Sequence, residues 1–247
     1  MVQFYRKDKG ETMVYAMSDI HGCYNEYLEM LAKIKFTDED TLFVLGDSID
    51  RGYAPMEVLT DMMDRANVIP LIGNHELAAL VVLKKFCVEI TGANVATHLT
   101  ADDLLALQEW TADGGQTTLA GFRKLSRERQ IDILDYLGEF SLYEEITVGN
   151  DTFLMLHGGL EPFHPARAID DYDLMQILFS RPDYEKVYFE NKYTITGHTP
   201  TPNLPGNQGT ILQKNNHIAI DCGCVFGYNL GAFCLDTGEA FYVPYYK

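Results

Sequence analysis

The chain repeats one local pattern five times: a short apolar or β-branched run that stops at a turn made of Gly, Asp, Asn or His. The pairs are TMVYAM before SDIHG, TLFVL before GDSIDRG, VIPLI before GNHE, TFLML before HGG, and YTIT before GHT. Runs of this kind predict strands, and the turns predict that polar side chains gather where strands end. Behind the first turn, Tyr27, Leu28, Leu31 and Ile34 recur at helical spacing within Tyr24–Ile34. A second helix is predicted over Met56–Arg65, opening after Pro55. The first half therefore reads as β-α-β-α-β with right-handed crossovers.

Residues 77–138 carry a mostly helical pattern, with Thr100 as an N-cap ahead of Asp102 and Asp103 and a break at Gly114-Gly115. They read as a helical insertion flanking the strand ends. From Ser141 onward strands dominate. LYEEITV and TFLMLH face each other across Gly149-Asn150-Asp151, and AFCLD and EAFYV across Thr237-Gly238, as two hairpins. The run from Thr199 to Gly209 is rich in Pro and Gly and reads as a loop. There is no internal repeat, and residues 1–247 read as a single α/β domain.

Composition narrows the partners. With 36 acidic against 19 basic residues the net charge is −17, which disfavours a long nucleic acid polymer, whose binding needs a basic surface. No apolar run approaches the roughly 18 residues of a membrane span, and the first residues lack an apolar leader core, so the expectation is no membrane and a cytoplasmic protein. Five scattered cysteines fit reduced thiols better than a disulfide framework. Cys222 and Cys224 lack a second thiol or imidazole pair, and are read as apolar core.

In open α/β sheets, ligands bind beyond the carboxyl ends of the strands, where all five polar motifs fall. Asp19, His21, Asp47, Asn74, His157 and His198 offer carboxylate and amide oxygens together with imidazoles. That mixture suits Mn, Fe or Zn better than Ca. A carboxylate shared by two such ions holds them about 3.5–4 Å apart, a spacing used in phosphate-cleaving sites.

SDIHG, GDSIDRG, GNHE, HGG and GHT, in that order, resemble the signature series of the PPP-family metallophosphoesterases, the serine/threonine protein phosphatases. The DCGC segment and the YNLGAFCLDTGE that follows are most similar to bacterial and phage members of the lambda phosphatase type. The resemblance implies a calcineurin-like metallophosphoesterase sandwich, two mixed β-sheets flanked by helices. It also implies two divalent metal ions, with Asp19 and His21 on the first, Asp47 bridging, and Asn74, His157 and His198 on the second. His75 is similar to the family's general acid, oriented by Asp50; Arg51 and Arg181 are similar to its phosphate-gripping arginines. The implied reaction is in-line attack on phosphorus by a hydroxide that bridges the ions, without a covalent phosphoenzyme. Ser18 stands where the family has glycine, a change that removes no ligand.

Asp50 and Glu76 favour phosphoserine or phosphothreonine in proteins, with phosphotyrosine also within range. The symmetrical dinucleoside tetraphosphate hydrolases share SDIHGC and the overall length, and stand as the alternative. A non-catalytic phosphate- or metal-binding module is a second alternative, but it predicts damaged ligands and none is damaged. Asp221 follows a predicted strand and Tyr228 is placed over the substrate groove. His98, His164 and His217 are read as surface or loop histidines. Asp102-Asp103 and Asp170-Asp171 are read as helix starts or solvated charges.

Overall fold

The computed structural model describes residues 12–86 and 100–246; the reading of His98 falls outside them. Two five-stranded sheets face each other. The first runs in the order β10 (Ala240–Pro244), β9 (Asn229–Cys234), β1 (Val14–Met17), β2 (Thr41–Leu45) and β3 (Val68–Leu71). The second runs β4 (Tyr143–Val148), β5 (Asp151–Leu156), β6 (Tyr193–Thr196), β8 (His217–Ala219) and β7 (Leu212–Lys214). β1, β2 and β3 are parallel, as are β5, β6 and β8, while β9 and β10 in the first sheet and β4 and β7 in the second pair antiparallel with their neighbours. Both sheets are therefore mixed. The expected hairpins are β4–β5 and β9–β10.

Alternation along each strand builds the layers. Ala16, Phe43, Leu45 and Leu71 from the first sheet meet Phe153, Met155, Ile195 and Ile218 from the second, forming the inter-sheet core. The opposite residues of the first sheet, Tyr15, Met17, Leu42 and Val44, pack under α1 (Tyr24–Lys33) and α2 (Pro55–Met63). On the far side, Leu154 and Leu156 meet Ile177 of α7 (Leu174–Phe179). α2 starts with Pro55 at its first turn, where a missing N–H costs nothing.

The insertion is helical where it is described. α3 (Asn74–Phe86) is followed by α4 (Ala101–Trp110), α5 (Gln116–Phe122) and α6 (Arg127–Gly138). Thr100 caps α4 in a capping box with Asp103, so that acidic pair is a helix start. Gly114, at φ 110°, breaks the path between α4 and α5. Trp110, Phe122, Ile133 and Leu137 join Leu83 of α3 in a separate core that stands at one end of the first sheet. Among the described residues no helix is long and apolar enough to cross a membrane.

Candidate active site

The backbone is strained where the motifs lie. Among the described residues nine that are not glycine have positive φ, and six of them are Asp19, His21, Asp47, Asp50, Arg51 and His198. Each such residue costs about 1–3 kcal/mol unless its surroundings over-determine it, and strain of this kind collects at functional sites. Here the first two turns are zipped together: the N–H groups of Asp19, His21 and Gly22 donate to the carbonyls of Gly46, Asp47 and Ser48 at 3.1, 2.8 and 2.8 Å. Glu76, fully buried, closes the other side. Its carboxyl accepts from the N–H groups of Asp47 (2.8 Å), Ser48 (2.7 Å) and Gly73 (3.0 Å). The glutamate of GNHE is thus a clamp on the turn that carries Asp47, and it is not part of the cavity lining.

The six expected ligands converge. His21 donates from Nδ1 to the Ile49 carbonyl (2.8 Å) and His157 from Nδ1 to the Leu45 carbonyl (2.7 Å), so each presents Nε2 to the interior. His21 Nε2 lies 4.0 Å from Asp19 Oδ1 and 3.7 Å from Asp47 Oδ2. His157 Nε2 lies 3.4 Å from Asp47 Oδ1. Asn74 Oδ1 stands 2.9 Å from both His157 Nε2 and His198 Nδ1. The His198 N–H donates to Asp19 Oδ2 at 3.0 Å. Two sets that share Asp47 could each hold a cation: His21, Asp47 and His75 in one, Asp47, His157 and His198 in the other. These spacings suit donors around ions with bonds of about 2.0–2.2 Å.

Electrostatics agrees with that donor set. Burial, then the Asp47 charge, pushes Asp19 up to about 6. Asp47 is as deeply buried, yet the imidazoles of His157, His75 and His21 hold its carboxyl well below the usual range. Burial opposes charge on His157, but Asp47 raises it to about 10. Burial takes His21 down to about 3, and burial with the His157 charge takes His198 down to about 4. Asp221, buried and facing Asp19, is pushed well above the carboxylate range. Divalent cations fit such a cluster because they neutralise desolvated carboxyls and take the place of the His157 proton.

His75 is set apart from the ligands by its partner. Its Nδ1 bonds Asp50 Oδ2 at 2.7 Å, and Nε2 is buried without a hydrogen bond, 3.9 Å from Asp47 Oδ2. Burial works against the imidazolium, but the Asp47 charge and the Asp50 hydrogen bond raise its pKa above the ordinary value. Asp50 fixes Nδ1, so Nε2 is the nitrogen the ring turns toward Asp47, as a donor when it carries a proton and as a ligand when it does not. Arg51 and Arg181 line one cavity of about 450 Å³ with Asp19, Asp47, Asn74, His75 and His198. Arg51 donates from Nη1 to His21 Nε2 (2.8 Å) and from Nη2 to Asp113 Oδ1 (3.0 Å).

Every expected site residue therefore lies in or beside one cavity, and Asp221 joins them there. Two readings are corrected. Tyr228 packs against Gly209 and is not in the cavity lining, where Phe226 and Phe179 stand instead. His217 is no surface histidine: it is buried between Tyr184 and Tyr188 and donates from Nε2 to the Lys186 carbonyl at 3.0 Å. Cys222 and Cys224 are free and buried. Sequence reasoning missed Trp110, Asp113 and Thr118, which reach the site from the insertion. The one local sign was the Gly114-Gly115 break beside them.

Among known proteins, the symmetrical bis(5'-nucleosyl)-tetraphosphatase of Nitrosospira multiformis is 24% identical over 265 residues, 92% of this chain and 94% of that relative. It carries the name of the alternative reading rather than that of a protein phosphatase. Two solved structures share the fold. A candidate diadenosine tetraphosphatase has a TM-score of 0.64 at 19% identity, covering 95% of this chain and 94% of its own. A protein serine/threonine phosphatase from Saccharomyces cerevisiae has a TM-score of 0.57 at 14% identity, covering 96% and 80%. The profile of the calcineurin-like phosphoesterases matches residues 12–223, which include all five motifs and both sheets up to β8, and so the chain belongs to that family.

Proposed function

We propose that the protein hydrolyses a small nucleoside polyphosphate, a dinucleoside tetraphosphate split into two equal halves, at a dinuclear metal site. The observation that carries this reading is the cavity. Its volume lies in the range of about 300–1,000 Å³ usual for small-molecule sites, and it combines the metal-ligand cluster with Arg51, Arg181 and His75. Phe179 and Phe226 are half-exposed on its lining and offer flat apolar faces to bases. The name of the near-full-length relative supports the same substrate class.

In this reading Asp19, His21 and Asp47 hold one cation, and Asp47, Asn74, His157 and His198 the other. Bound divalent ions supply Lewis acidity and a water that ionises near neutral pH. Arg51 and Arg181 grip phosphate oxygens, for which a guanidinium is shaped. His75 holds a proton at Nε2 for the leaving oxygen, and Asp50 keeps the ring aimed.

One observation favours a second reading, phosphomonoesters including phosphoserine and phosphothreonine. The leaving group of a tetraphosphate is a stabilised phosphate anion, while an alkoxide needs an acid, and the His75–Asp50 pair is intact. Rates on diadenosine tetraphosphate and on a phosphoserine peptide, measured side by side with Mn²⁺, decide between them. We expect the larger kcat/KM for the dinucleotide; preference for the peptide would overturn the first reading in favour of the second.

A further inference from the structure

We infer that Trp110 and Thr118, carried by the helical insertion, are positioning residues for proton donation by His75, acting through Asp50. The inference rests on the reading of His75 as the acid.

Asp50 is fully buried, and its carboxyl is a junction of three side chains. Oδ2 takes hydrogen bonds from His75 Nδ1 and from Trp110 Nε1, both at 2.7 Å, and Oδ1 takes one from the Thr118 hydroxyl. The Asp50 N–H in turn donates to Thr118 Oγ1 at 2.9 Å. A carboxyl group turns easily about its last torsion, whose preference is broad. With the indole on one oxygen and the hydroxyl on the other, its plane is fixed, and so is the direction from which it holds His75.

The chain between the two donors is shaped for this task. Gly114 turns at φ 110° and its carbonyl accepts from the Arg51 N–H at 3.0 Å, docking the insertion on the residue next to Asp50. Gly115 lies flat against the indole; a Cβ there would come within 2.5 Å of Trp110 Cδ2. The turn thus brings a donor 60 positions from Asp50 and another 68 positions away onto one carboxyl.

In the reaction the P–O bond to the leaving group breaks with its electron pair on the leaving oxygen, which takes the Nε2 proton of His75. Water supplies the new oxygen on phosphorus and restores a proton to His75. A leaving oxygen of high pKa depends on that donation, and one of low pKa does not.

The test uses the Mn²⁺-loaded protein, aryl phosphates from phenyl to 2,4-dinitrophenyl, and the variants Trp110→Phe and Thr118→Val. Trp110→Phe removes the indole donor and keeps an aromatic ring of smaller volume; Thr118→Val keeps the side-chain shape and removes the hydroxyl both as donor to Oδ1 and as acceptor of the Asp50 N–H. For phenyl phosphate we expect kcat to fall about tenfold or more, a part of the 10²–10⁴ that a general acid supplies. For 2,4-dinitrophenyl phosphate the fall stays under about twofold and KM changes little, and on an Asp50→Asn background neither variant costs more. Trp110 is the chain's one tryptophan, so Asp50→Asn should also shift the indole emission of the metal-free protein while its circular dichroism is kept. Equal losses for all leaving groups, losses additive with Asp50→Asn, or unchanged emission would overturn the inference. If Trp110→Phe fails to fold, Thr118→Val and the emission measurement decide. A protein that cleaves aryl phosphates but no dinucleotide overturns the proposed substrate and leaves this inference standing; one that cleaves no phosphoester overturns both.

Discussion

His157 shows how a single side chain ties proton and cation together. Its Nδ1 is committed to the Leu45 carbonyl, its Nε2 faces Asp47 and Asn74, and its pKa is raised to about 10. Below that pH the ring carries a proton that a metal ion must displace, so the proton opposes binding at neutral pH and ceases to do so above 10. Mn²⁺ affinity should therefore rise with pH, by up to about tenfold per unit from this group alone. Titration calorimetry at pH 7 in buffers of different ionisation enthalpy should register release of at least one proton; binding without proton release would refute it. That the candidate ligands would come together was legible in the sequence because acids and imidazoles placed at strand ends have few structural reasons to recur there together. Trp110, Thr118 and Phe226 were not, since indole, hydroxyl and phenyl groups are ordinary helix and loop residues until folding sets them beside Asp50 or the cavity.

Elements were read well where their signals are local. The apolar runs of β1 and β2, the proline that opens α2 and the turns of both hairpins each lie within a few residues. Sheet order was not legible, because β9 meets β1 through the pairing of Cys234 with Tyr15, and no short-range pattern announces it. Packing is tight at the junction of β3 with α3. A Cβ on Gly73 would stand 2.5 Å from the Asp47 amide nitrogen and 2.7 Å from Glu76 Oε2. Gly73→Ala should thus cost about 1–3 kcal/mol by overpacking and weaken Mn²⁺ binding as Asp47 is pushed aside. At Gly138, the end of α6, a Cβ meets only the flexible Lys84 Nζ at 3.9 Å, and Gly138→Ala should be neutral or stabilise by up to about 1 kcal/mol. Thermal unfolding and calorimetry of the two variants check both; equal behaviour would show that the crowding at Gly73 is relieved elsewhere.

For the whole molecule the dominant fact is a net charge of −17 around a cavity whose cationic side chains are Arg51 and Arg181. A polyphosphate must cross a repulsive field before it meets that local attraction. Between 10 and 100 mM salt the screening length shrinks from about 30 to about 10 Å, so at saturating Mn²⁺ the kcat/KM for diadenosine tetraphosphate should rise a few-fold. A decrease would mean that the cavity's own charges govern approach. The same cavity is bounded by both sheets: Asp19, Asp47 and Asn74 follow strands of the first, while His157 and His198 follow strands of the second, and the His198 N–H reaches Asp19 across 179 positions of chain. Ions seated there act as rivets through two plates. Asp19, His21 and Asp47 all lie on the first plate, but the set of Asp47, Asn74, His157 and His198 is drilled through both, so a chain cut between the sheets would lose that second seat, and each sheet's stability becomes a condition of the other's chemistry.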